Sequence, residues 1–181
     1  MKRRVSWSVG LAFLTITTLT GTVGAQMGEA LLVRVHMPGI STVGKNETLY
    51  MTSTPTTRGL KHAKTIGVKT DINLMEPSEM YWDEEKEAVS LGLTYVHIPV
   101  SADDPSTAAV QQFLAVVQEV DERQILIHCD AGGRSLAMWS IYLGTVKGCS
   151  PEMALAQAER AGLKHEGLKQ FVLTYLKERS S

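Results

Sequence analysis

Residues 124–139, QILIHCDAGGRSLAMW, constrain the fold more than any other stretch of the chain. They open with a short apolar run, Ile125, Leu126 and Ile127, which is rich in β-branched residues and reads as a buried strand. The run ends in His128 and Cys129. A tight turn follows, Asp130, Ala131, Gly132 and Gly133, and then Arg134 and Ser135. From Ser135 onward, Leu136, Trp139, Ile141, Tyr142 and Leu143 recur at helical spacing. Strand, glycine-rich turn and helix together aim several backbone N–H groups at one spot, where the helix N-terminus adds partial positive charge. Successive amides in such a turn form an anion nest. The paired glycines permit positive φ and close approach of a ligand.

Cys129 stands at the mouth of this nest. Its amides and Arg134 both favour a thiolate, which is the nucleophilic form of cysteine. Arg134 offers a planar fork that grips two oxygens of a phosphate. The combination points to attack of sulfur on phosphorus, giving a phosphocysteine that water later hydrolyses. The turn from Asp130 through Ala131, Gly132 and Gly133, with Arg134, is the expected substrate-binding surface, stabilising charge on the phosphoryl oxygens. Ser135 is expected to hydrogen-bond the sulfur and help it leave. His128 is expected to support the loop through a ring nitrogen bonded to loop backbone. The five histidines are scattered and none pairs with another at ligand spacing, so no metal or cofactor is expected.

The sequence HCDAGGRS resembles the signature loop of the cysteine-dependent phosphatases, the protein tyrosine and dual-specificity group. Four residues separate Cys129 from Arg134, one fewer than is usual in that group. The shorter loop is also similar to that of rhodaneses, which carry sulfur on their cysteine. It is similar, too, to the phosphatase-like domains of the beta-lactamase-hydrolase-like (DUF442) family. From Thr48 to Leu176 the order of elements resembles the latter, carried by TLYMTSTPTTRGLKHAKTIGVKTDINL, EAVSLGLTYVHIPV, ILIHCDAGGRSLAMW and SPEMALAQAERAGL. INLMEPSE stands where rhodaneses usually present a strand ending in an acidic residue and Arg, which favours the phosphatase side. The resemblance implies a general acid in the loop after the third strand, where Asp103 and Asp104 are the candidates; either is equally at home as a turn residue. Glu76 is placed to contact the loop or Arg134, or to be a solvated turn carboxylate.

The first 25 residues read as a secretory signal peptide: Lys2, Arg3 and Arg4, then an apolar, threonine-rich stretch, then small residues before Gln26. The expected division is residues 1–25 as leader, 26–47 as an irregular arm with one short strand around residues 31–35, and 48–181 as a single phosphatase-like domain. Without Lys2, Arg3 and Arg4, the 18 basic residues become 15 against 19 acidic ones, a net charge of −4. Such a chain is a poor partner for nucleic acid or an anionic membrane, and no later apolar run is long enough to span a bilayer. The protein is therefore expected to be exported, periplasmic or secreted, without stable membrane insertion. Cys149 is expected as a small apolar residue at a helix start, with a Cys129–Cys149 disulfide as the alternative.

Alternating strands and helices imply an α/β fold, with a largely parallel central sheet of four to five strands and helices on both faces. Ligands in such sheets bind at the carboxyl ends of the strands, which is where Cys129 and the Asp103–Asp104 loop fall. Residues 48–53 are expected as an edge strand, 68–74 as a central one, and 79–90 as a helix capped by Ser78. Three functions remain open: a phosphatase acting on a phosphorylated protein or small molecule, a sulfurtransferase using a Cys129 persulfide, and an oxyanion-binding module in which Asp130 has disabled the nucleophile.

Overall fold

The computed structural model describes residues 32–41, 43–119 and 124–180; the expected leader lies outside them. Six strands form one sheet: β1 (Val33–Arg34), β2 (Val43–Asn46), β3 (Leu49–Ser53), β4 (Val68–Asn73), β5 (Thr94–His97) and β6 (Gln124–Cys129). Their order is β1-β2-β3-β6-β4-β5. The four strands β3, β6, β4 and β5 run parallel, while β1 and β2 add antiparallel pairings at one edge. The helices are α1 (Thr57–Thr65), α2 (Glu84–Ser90), α3 (Thr107–Glu119), α4 (Gly133–Thr145), α5 (Pro151–Ala161) and α6 (Glu166–Ser180).

The architecture is the α/β one expected; β1 is the short strand expected in the arm, and β2 is an additional strand that the sequence did not announce. The sheet has six strands rather than four to five because β2 pairs with β3 and β1 with β2. The sequence of β2, VGKN, carries no apolar alternation, so its place comes from backbone pairing alone. That pairing also makes β3 an interior strand rather than an edge, with all five residues buried. The helix expected over residues 79–90 is also different. Pro77–Glu79 forms a single 3-10 turn, closed by reciprocal bonds between Glu76 and Glu79. The true helix α2 starts at Glu84, where the Asp83 carboxylate accepts the Lys86 N–H at 3.1 Å.

Because side chains alternate along a strand, β6 feeds two cores. Ile125, Ile127 and Cys129 face a large cluster that includes Phe113 of α3, Trp139 of α4, Ala158 of α5 and Leu168 of α6. Leu126 faces a smaller cluster with Leu60 and Ala63 of α1 and Ala88 of α2. Helices thus cover both faces. Among the described residues no helix is long and apolar enough to cross a membrane.

Candidate active site

β6 lies between β3 and β4, with Ser53 beside Cys129 and Asn73 beside His128 in the parallel register. Its carboxyl end therefore lies between the carboxyl ends of its two parallel neighbours. Gly132 turns the chain there with φ 92°, a conformation suited to glycine, and precedes α4. That turn brings the Gly132 N–H to 3.2 Å from the Cys129 sulfur, to which it donates. The Cys129 side chain is buried, while Asp130 and Ala131 are exposed, so the Asp130 carboxylate lies on the solvent side.

Thr54, just after β3, fixes the back of the turn. Its N–H donates to Asp130 O at 3.2 Å and its hydroxyl to Cys129 O at 3.2 Å. The Ser135 hydroxyl donates to Gly132 O at 2.7 Å, with Thr52 O at 3.3 Å. Ser135 is thus tied to loop backbone, and the hydrogen bond to sulfur comes from Gly132.

Arg134 is buried at the start of α4, and its guanidinium is held on several sides. Nη1 and Nη2 each donate to a Glu79 carboxylate oxygen at 2.6 Å, and Nη1 also reaches Val100 O at 3.0 Å and Leu74 O at 3.3 Å. Burial alone would lower the arginine pKa, but the Glu79 hydrogen bonds and the nearby Cys129 sulfur raise it, so the cation is secured. Reciprocally, the hydrogen bond from Arg134 holds Glu79 below the usual glutamate range. The carboxylate that meets Arg134 is therefore Glu79; Glu76 supplies the N–H that Glu79 accepts at 2.7 Å.

Asp103 and Asp104 lie in the loop between β5 and α3. Asp103 is almost fully exposed and sits 3.3 Å from His165 Nε2, and the Asp104 N–H donates to Ser101 Oγ at 3.3 Å. The start of α6 borders both loops: a Cβ on Gly167 would meet Ala102 O at 3.6 Å, and one on Gly133 would meet Leu168 at 3.9 Å. Beside the Cys129 loop, a cavity of about 250 Å³ is lined by Ala131, Gly132, Gly133, Met51, Arg34 and Lys164. Cys149 is buried away from the site, and both cysteines are free thiols.

His128 departs from its expected place. Its ring turns to the other face of the sheet, where Nε2 lies 2.8 Å from Glu84 Oε1 and 3.7 Å from Asp71 Oδ1. Burial pushes Asp71 up to about 8 and Glu84 up to about 7, and drives His128 down. The sequence did hold the signal: if Cys129 faces one side of a strand, His128 must face the other. An aspartate inside the interior strand β4 also calls for a buried partner.

The parallel sheet and the Cys129–Arg134 loop at its carboxyl end define the class of cysteine-dependent phosphatases. The family described as "DSP-PTPase phosphatase fused to NAD+ Kinase" matches residues 33–174, and the chain belongs to it. No curated protein matches. Among solved structures, a DUF442 protein from Shewanella putrefaciens CN-32 is 28% identical with a TM-score of 0.68, covering 78% of this chain and 94% of its own. P. aeruginosa TpbA is 21% identical with a TM-score of 0.65, covering 81% and 89%. A Cys-to-Ser variant of TpbA, solved in complex with pTyr, is 19% identical with a TM-score of 0.61, covering 79% and 91%. The resemblance stated from HCDAGGRS and its flanks is borne out. The chain is homologous to protein tyrosine and dual-specificity phosphatases, consistent with a phosphoric monoester hydrolase.

Proposed function

We propose that this protein is an exported cysteine-dependent phosphatase that hydrolyses a phosphomonoester through a phosphocysteine on Cys129. The observation that carries this reading is the Gly132 amide donating to the Cys129 sulfur at 3.2 Å, beside a buried and permanently charged Arg134. The amide and the guanidinium thus place a hydrogen-bond donor and a positive charge beside the nucleophilic sulfur. The thiolate attacks phosphorus as the ester P–O bond breaks, and Asp103 or Asp104 gives a proton to the departing oxygen. Water then attacks the phosphocysteine; the P–S bond breaks, phosphate leaves and the thiolate returns. Turn amides and Arg134 stabilise the oxygens in both steps. Glu79 acts as a positioning residue, holding the guanidinium fork flat and charged. The substrate is a phosphorylated protein or small molecule, and phosphotyrosine is the first ester to try because pTyr is the ligand seen with TpbA.

Purified protein lacking residues 1–25 would be given p-nitrophenyl phosphate and, separately, thiosulfate with cyanide. The reading requires phosphate release that disappears in Cys129→Ser. Thiocyanate formation without phosphate release would make the protein a sulfurtransferase, and binding of phosphate without turnover would make it an anion-binding module. Asp103→Asn and Asp104→Asn identify the acid: the true one slows esters with poor leaving groups most. Export is checked by N-terminal sequencing of the mature protein, with Gln26 expected first.

A further inference from the structure

Three donors meet behind the sheet, on the face away from Cys129: Asp71 from β4, Glu84 from the first residue of α2 and His128 from β6. One ligand atom from each lies within 4.8 Å of the others. Their side chains are 0%, 3% and 0% exposed. His128 Nε2 approaches Glu84 Oε1 to 2.8 Å and Asp71 Oδ1 to 3.7 Å, yet neither approach has hydrogen-bond geometry. Both Asp71 oxygens, Glu84 Oε1 and both His128 nitrogens are fully buried; the two carboxyl groups lie within hydrogen-bonding reach of each other, and among the described residues neither His128 nitrogen has a hydrogen-bond partner. Native interiors rarely leave buried polar atoms unpaired, and each unpaired group costs stability. One oxygen from each carboxylate and one imidazole nitrogen converge there, and a single ion can take all three.

We propose that Asp71, Glu84 and His128 form a binding site for a divalent transition-metal ion of the zinc class. Two carboxylates and a neutral imidazole cancel the charge of one divalent cation. Zinc takes histidine nitrogen and carboxylate oxygen at about 2.0–2.2 Å, which sets tetrahedral ligand atoms roughly 3.3 Å apart. The observed 2.8 and 3.7 Å lie on either side of that spacing. Calcium and magnesium want six or more oxygens, and three donors including an imidazole suit them poorly. An outer layer is present as well: Asn73 Nδ2 donates to Glu84 Oε2 at 3.2 Å and to the Tyr95 hydroxyl at 3.0 Å, fixing the orientation of the Glu84 carboxylate. Histidine spacing gives no warning of such a site, because only one ligand is a histidine and the other two come from separate elements. The ion would tie β4, β6 and α2 together directly behind the Cys129 turn, in a structural role.

The test uses chelator-treated protein carrying Cys129→Ser, so that no reactive thiolate competes for metal and turnover is irrelevant; failure of the phosphatase reading would leave its outcome untouched. Titration with zinc chloride, followed by calorimetry, should give one ion per chain and a rise in the thermal midpoint. Asp71→Asn and Glu84→Gln, each in that background, should weaken zinc binding by about tenfold to a hundredfold. Cobalt(II) should give the visible absorption of a four-coordinate site without thiolate charge-transfer bands. Absence of zinc binding by the parent, undiminished affinity in both variants, or a cobalt spectrum with thiolate bands would each overturn the proposal. If a variant fails to fold, the parent's stoichiometry and cobalt spectrum still decide.

Discussion

His128 and Cys129 are chain neighbours, yet they serve opposite sides of β6, and the two sides solve the problem of buried polarity differently. At the Cys129 turn the polar groups that hold the loop are matched within the protein. The sulfur accepts from Gly132, Arg134 donates to Glu79, Leu74 and Val100, and Ser135 donates to Gly132. On the His128 side, one atom each from Asp71, Glu84 and His128 converges within 4.8 Å, and among the described residues neither His128 nitrogen has a hydrogen-bond partner. A fully satisfied network holds a fixed geometry, whereas a converging but unsatisfied one marks a place that needs another atom. The front is built to hold a shape for chemistry, and the rear to hold an ion.

Breaking the front should show in turnover. Arg134→Lys keeps the charge but removes the bidentate fork, and should lower phosphate release by about 10²- to 10³-fold in steady-state assays with p-nitrophenyl phosphate. Retention of full activity would mean that the guanidinium shape is not used. Glu79→Gln keeps the carbonyl but loses the charge-assisted pair, and should cost about tenfold in kcat/KM, roughly 1.4 kcal/mol.

The same variant carries a pH signature. Arg134 holds the Glu79 pKa below the usual range, so the stability it contributes is present above the unfolded-state pKa and is lost as pH falls through the folded-state value. Urea midpoints of parent and Glu79→Gln should therefore differ at about pH 7 and converge as the pH falls below the ordinary glutamate range. A gap that widens in acid would contradict the pair. The smallest effect is expected from Asp130→Ala. Its exposed carboxylate opposes an incoming dianion only through water, so removal should raise kcat/KM about two- to fivefold at low salt. That gain should fade at about 1 M salt, where screening is nearly complete.

How far the sequence carried depended on whether a feature was local. Residues 125–135 read correctly as strand, turn and helix because apolar run, glycines and helical spacing sit next to one another. The start of α5 was also local: Cys149 was expected at a helix start, and the helix begins two residues on at Pro151, capped by Ser150. β2 was hidden because VGKN has no pattern of its own and is defined by its partner β3. The choice between Glu76 and Glu79 was also hidden: both carboxylates sit in one turn, and only the tertiary position of Arg134 selects between them. Thr54 escaped notice for the same reason, because its bonds to Cys129 and Asp130 span some 75 residues.

In the proposed reaction the sulfur of Cys129 becomes covalently phosphorylated during turnover. Rapid acid quench of the enzyme with a phosphomonoester, followed by mass spectrometry of the digested protein, tests it most directly. A phosphoryl group is expected on the peptide containing Cys129, forming before steady state and absent from Cys129→Ser. Steady hydrolysis with that peptide unmodified at every quench time, and undiminished in Cys129→Ser, would contradict it.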